Sequence, residues 1–376
     1  MSDRRFMMRK YFGFIIVFLI WSISSCATLP NDKFEKRSPV YPTNIILLIG
    51  DGMGVSHITA GKIVKGVLNL EGFRYMGLLT THSQNAFITD SAAAGTAMAT
   101  GYKTYNGAIS VSSNKEPLKT VVEYAEENGK STGLVTTCSV THATPAVFVA
   151  HVEHRNQKDL IAEYIAKSDI DVLFGGGWSY FVPKSVKESK RADEKDLIAI
   201  LKKRMKVIRS VEEFQQLGVI DSVAGFFAVK HPPQAKYRKP QLHELTRKAI
   251  EILSRNKAGF FLMVEGSQID WTAHKNKQEF LLAEMIDFDN AVGVALEFAI
   301  SDSKTLVLVT ADHETGGFAI HDGSVEEKRI SNSGFTTKEH TATMVPIFAY
   351  GPGSSAFSGI KDNTIIGKTI IHYLQK

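Results

Sequence analysis

The chain has 376 residues, 44% hydrophobic and 22% charged, which suits a globular fold with one large core or two small ones and excludes a disordered or fibrous chain. Of its formal net charge of +5, the first 25 residues supply +3, through Arg4, Arg5, Arg9 and Lys10 against Asp3, so the remainder carries +2. That surplus is too small to argue for nucleic acid as a partner, and two cysteines, Cys26 and Cys138, exclude a disulfide-rich scaffold.

Residues 1–25 read as a lipoprotein signal peptide: basic residues precede the apolar run 11–21, which is too short to span a bilayer as a mature helix. The small residues Ser24 and Ser25 before Cys26 are like a bacterial lipobox. Cys26 is therefore expected to carry lipid, become the first mature residue and anchor an exported periplasmic or cell-surface protein to a membrane. A plain cleaved signal peptide is the alternative. With Cys26 lipidated, Cys138 has no disulfide partner. Residues 26–42, polar and proline-bearing, read as a tether, and 43–376 as the folded domain.

The apolar run 45–49 has the length and β-branched content of a strand buried on both faces, and it ends in Gly50-Asp51-Gly52. Next comes Thr89-Asp90-Ser91 followed by small residues through Gly95, a pattern that turns tightly into a helix and offers Ser91 as a nucleophile or as an ordinary helix cap. In His142-Ala143-Thr144-Pro145 the proline predicts an extended or turn conformation for Thr144, with its hydroxyl free to ligate. Arg155 is eleven residues further, a spacing of about three helical turns, and its guanidinium could fork two phosphate oxygens. The charged, weakly periodic stretch 178–239 is expected to be a surface excursion from the sheet.

The strand-into-acid pattern returns at 259–264, running into Glu265, and at 305–309, running into Asp312-His313. Strand ends of a parallel sheet share one edge, so Asp51, Glu265 and Asp312 are predicted to be neighbours, and such crowding of like charge calls for a cation. Asp270 and His274 are four residues apart, so on a helix they share a face and can grip one ion. His340 lies just ahead of another strand-like run, 345–350. The alternation of strands and helices predicts an α/β fold, a three-layer αβα sandwich around a mostly parallel sheet.

Taken together and in order, Asp51-Gly52-Met53-Gly54, Thr89-Asp90-Ser91-Ala92-Ala93, His142-Ala143-Thr144-Pro145, Arg155, Glu265-Gly266, Asp270 with His274, Asp312-His313 and His340-Thr341 resemble the alkaline phosphatase family over about residues 44–352. The resemblance implies a metal-dependent phosphomonoesterase that forms a phosphoserine at Ser91, serving phosphate scavenging. It implies two zinc ions, one on Asp270, His274 and His340, the other on Asp51, Asp312 and His313 with Ser91. A magnesium site would take Asp51, Thr144 and Glu265, and Arg155 would clamp the phosphoryl group. His142 and Trp271 stand where some relatives carry an acid and a lysine; a histidine there could favour zinc in the third site, and Trp271 has one N–H and no charge with which to hold phosphate. A diesterase or sulfatase of the same superfamily is the nearest rival, and Arg155 would crowd the second substituent of a diester. Relatives are often dimers, so a homodimer is compatible with the resemblance.

Overall fold

The computed structural model describes residues 41–376; the signal peptide, Cys26 and most of the tether lie outside the described residues. Fourteen strands occur among the described residues: β1 (Asn44–Gly50), β2 (Tyr75–Thr80), β3 (Ser131–Ser139), β4 (Val172–Gly176), β5 (Lys206–Ile208), β6 (Val223–Phe226), β7 (Phe260–Gly266), β8 (Thr305–Thr310), β9 (Glu314–Thr315), β10 (Phe318–Ser324), β11 (Arg329–Phe335), β12 (His340–Thr341), β13 (Val345–Tyr350) and β14 (Gly359–Asp362). Ten of them form one sheet in the order β14-β2-β13-β8-β1-β7-β3-β4-β6-β5. Only β13 runs antiparallel to its neighbours β2 and β8, so the sheet is mostly parallel and the chain is α/β.

The centre of this sheet follows from its sequence. Every residue of β1, β7 and β8 is buried, as unbroken apolar runs demand when both faces are covered. Two groups of helices do the covering. Val55–Lys65, Leu242–Leu253 and Gln278–Asp302 pack together, and Ser91–Thr100, Val121–Glu127 and Thr364–Leu374 form the other group. The helix Ser91–Thr100 is buried along its whole length, which its small side chains permit; a Cβ on Gly95 would stand 2.9 Å from Val147.

Three expectations change. The stretch 178–239 does not leave the sheet: it supplies β5 and β6, which pair in parallel beyond β4. These strands are three and four residues long, too short to show a period. Thr144 is not extended but lies inside the one-turn helix Ala143–Ala146, where Pro145 falls in the first turn and its missing N–H costs no hydrogen bond. Nor do three helical turns connect Thr144 to Arg155. The helix stops at Ala146, and Arg155 is set instead by the bridge between Ile109 and Val152 and by its own N–H donating to Gly107 O at 2.7 Å.

Candidate active site

The order of the central strands places the acids. Ile49 of β1 is paired with Glu265 of β7 on one side and with Thr310 of β8 on the other, so Asp51 and Asp312, each one or two residues past a strand end, emerge beside Glu265. Gly52 N donates to Asp312 Oδ1 at 3.1 Å and tightens this convergence. Gly52 has φ +75 and a Cβ there would stand 2.8 Å from Asp270 Cα, so the turn that delivers Asp51 needs glycine for both conformation and space.

Asp51, Glu265, Asp312 and His313 are all inaccessible to solvent. Both carboxylate oxygens of Asp51, Glu265 Oε1, Asp312 Oδ2 and Thr144 Oγ1 are buried without a hydrogen-bond partner. Burial first, then the charges of Asp312, Asp270 and Glu265, push the Asp51 carboxyl well above the usual carboxylate range; burial likewise raises Glu265. Buried lone pairs left unpaired cost about 1–3 kcal/mol each, and a divalent cation satisfies several at once. The donor set therefore fits metal ions, and the oxygens of Asp51 and Asp312 lie within 4.8 Å of a His313 nitrogen and of one another.

A second set sits beside the first. Asp270 and His274 share the helix Gln268–His274, and His340 comes from β12, which pairs with β9 just after His313. His274 Nε2 and His340 Nε2 approach Asp270 Oδ1 at 3.2 and 3.6 Å. His340 Nδ1 is fixed by Thr89 O at 2.9 Å, and His274 Nδ1 by Lys338 O, so both rings present Nε2 to the same carboxylate. The His340 ring stacks on His313 with centroids 3.5 Å apart. Burial lowers His313 to about 4 and keeps it neutral, the form a metal ligand needs, whereas the hydrogen bond to Asp270 raises His274 to about 9, so a cation bound there would have to displace its proton.

Ser91 stands beside His313, and its chain neighbour Asp90 binds Arg155. It is the first residue of its helix, and Asp90 is the cap, accepting from Ala93 N at 3.0 Å, which leaves the Ser91 hydroxyl free. Ser91 Oγ is 3.4 Å from His313 Nε2, which in turn is 3.3 Å from Asp312 and 3.6 Å from Asp51. Arg155 Nη1 donates to Asp90 Oδ2 at 2.9 Å, so the residue that caps the serine helix also holds the guanidinium.

Two participants had no role in the sequence analysis. Asp90 was visible only as part of its motif. His231 comes from the stretch 178–239: its Nδ1 accepts from Ser139 N at 3.1 Å and its ring packs edge-on against Trp271, centroids 4.7 Å apart. Trp271 also meets His142, with centroids 5.7 Å apart, so the three rings pack together, and a His142 nitrogen lies within 4.8 Å of a Glu265 carboxylate oxygen. No local signal marks His231, since its contacts depend on where β6 joins the sheet.

A sequence profile described as alkaline phosphatase matches residues 42–329 and 322–376. Alkaline phosphatase 4 of Bacillus subtilis is 37% identical, with 89% of this chain and 88% of that protein covered, and the alkaline phosphatase of Escherichia coli is 33% identical over 85% and 83%. Among solved structures, the alkaline phosphatase of the Antarctic bacterium TAB5 matches with a TM-score of 0.81 and 40% identity over 90% of this chain and 99% of that one. A histidine-to-aspartate variant of that enzyme, with Mg bound in its M3 site, matches with a TM-score of 0.82. The chain belongs to the alkaline phosphatase family of metal-binding phosphoric monoester hydrolases.

Proposed function

We propose that the protein cleaves phosphate monoesters by transferring the phosphoryl group to Ser91 Oγ and then to water. The observation that carries this reading is the position of Ser91 Oγ, 3.4 Å from His313 Nε2 at the rim of the unpaired acids, with Arg155 anchored through the neighbouring Asp90. Asp270, His274 and His340 would hold one zinc ion, Asp51, Asp312 and His313 with Ser91 a second, and Asp51, Thr144 and Glu265 a magnesium ion. When bound, these cations supply positive charge that stabilises the serine alkoxide and the oxygen of the departing alcohol.

The Ser91 hydroxyl gives its proton to water and its oxygen bonds to phosphorus as the ester P–O bond breaks; the alcohol leaves with the bonding electron pair and takes a proton. Water then attacks the phosphoserine, Ser91 regains a proton and inorganic phosphate departs. Arg155 has N–H groups to spare beyond Asp90, and these pair with the equatorial phosphoryl oxygens, where transition-state charge accumulates. Asp90 keeps the guanidinium from swinging away, and His340, pinned by Thr89 O next to Ser91, keeps the metal-ligating face in register with the nucleophile.

Replacing Ser91 with alanine should eliminate acid-stable phosphoenzyme in rapid-quench labelling and lower turnover of p-nitrophenyl phosphate by about 10³-fold or more. Undiminished turnover would overturn the assignment. The basic leader and Cys26 support export as a lipoprotein that scavenges phosphate outside the cell membrane. Palmitate labelling that persists in Cys26→Ala would remove the anchor from this reading.

A further inference from the structure

Cys138, near the end of β3, has no part in the chemistry described so far, yet it does not sit like a cysteine that merely packs. A Cys138 sulfur, a His142 ring nitrogen and a Glu265 carboxylate oxygen lie within 4.8 Å of one another, and Cys138 Sγ is 3.5 Å from Glu265 Oε2. Cys138, Glu265 and Thr144 are fully buried. Glu265 Oε1 and His142 Nδ1 are sealed from solvent without hydrogen-bond partners, while the thiol itself makes only weak ones, donating to Ser139 O at 3.3 Å and to Glu265 Oε2. Thr136 holds the group in place: its hydroxyl donates to Glu265 Oε2, lies 3.1 Å from Cys138 Sγ and accepts from Cys138 N at 3.2 Å. A thiol held beside a carboxylate and an imidazole has the composition of a ligand set.

We propose that Cys138 is a ligand of the third cation site and, with His142 and Glu265, makes that site select zinc over magnesium. The inference rests on the three-cation reading above and adds a sulfur donor to it. Magnesium prefers oxygen donors in near-octahedral array and keeps several waters, whereas thiolate and imidazole favour zinc or cobalt. Tetrahedral zinc, with bonds of about 2.3 Å to sulfur and about 2.0 Å to nitrogen or oxygen, holds its ligand atoms roughly 3.3–3.7 Å apart, a spacing that the sulfur and Glu265 Oε2 already have. On binding, the S–H bond breaks, the sulfur electron pair goes to the metal and the proton leaves to solvent.

The test is cobalt substitution of the whole purified protein, with elemental analysis and near-ultraviolet absorption read together. The expected result is three cobalt ions per chain with a thiolate-to-cobalt charge-transfer band, lost in Cys138→Ser while the other two ions remain. Zinc and magnesium competition should show Cys138→Ser losing its preference for zinc at this site by about 100-fold or more. Three cobalt ions in the wild-type protein without the band would overturn the proposal even if the variant failed to fold, and so would an unchanged zinc preference in a folded variant. Two cobalt ions or fewer would instead remove the three-cation reading, and this proposal with it.

Discussion

At the scale of single residues, Asp90 links Ser91, the proposed nucleophile, to Arg155, the proposed phosphate clamp. Its Oδ1 accepts from Ala93 N and from Gly107 N at 3.1 Å, while Oδ2 takes Arg155. Against the upward push of burial, the Arg155 charge and those two N–H groups hold its carboxyl below the usual range, so it stays ionised where it is needed. Asp90→Ala removes both functions at once. It should cost about 1 kcal/mol of stability as a lost cap, and weaken inhibition by inorganic phosphate about fivefold because the guanidinium is no longer pre-positioned. Asparagine is as good a cap as aspartate, so Asp90→Asn should keep the melting temperature while still weakening phosphate binding. Equal phosphate inhibition constants in all three proteins would show that Asp90 does not position Arg155.

Among the elements, the long helix Gln278–Asp302 is tied to the segment ahead of Leu242–Leu253 by Arg238, which is 2% exposed. Arg238 Nη2 bonds both oxygens of Glu284 at 2.9 and 2.7 Å, and Nη1 bonds Asp287 at 2.5 Å. Removing the cation strands two buried carboxylates, so Arg238→Met should cost about 3–5 kcal/mol. Burial already raises both carboxyls. Without Arg238 they must stay protonated in the folded state, which then binds more protons than the unfolded chain above about pH 4. Stability therefore falls as pH rises, and urea unfolding should show a larger deficit at pH 8 than at pH 5. This tie was invisible in the sequence, because its partners are nearly fifty residues apart and no period connects them. The strands β1, β7 and β8 were legible because burial on both faces writes itself as an apolar run and the acid follows where the run stops. By the same logic β5 and β6, too brief to carry a pattern, were lost, and Arg155 was assigned a helical approach although the long-range bridge from Ile109 to Val152 sets its path.

For the whole molecule, the strand order does what no element does alone. Placing β1 between β7 and β8, with β3 beyond β7, brings Asp51, Glu265, Asp312 and Cys138 from four adjacent strands to one region of the sheet edge. The hydrophobic sheet that fixes these positions also desolvates them, so the fold concentrates negative charge where water cannot relieve it. Cations that bind only the native arrangement then stabilise it by mass action, by about 4 kcal/mol for each site held at a thousand times its dissociation constant. A chain of this length has a large unfolding entropy, so each kcal/mol moves the midpoint by about 2 °C or less, and two or three sites together should be worth on the order of 10 °C. Calorimetry before and after exhaustive chelation should show a drop of that size, with elemental analysis confirming metal loss. Zinc and magnesium returned together should restore the midpoint, and Ser91→Ala, which keeps the acids and histidines, should respond in nearly the same way. A metal-free protein that melts where the loaded one does would mean that the acidic rim is relieved by protons alone and that the cations contribute nothing to holding the sheet edge together.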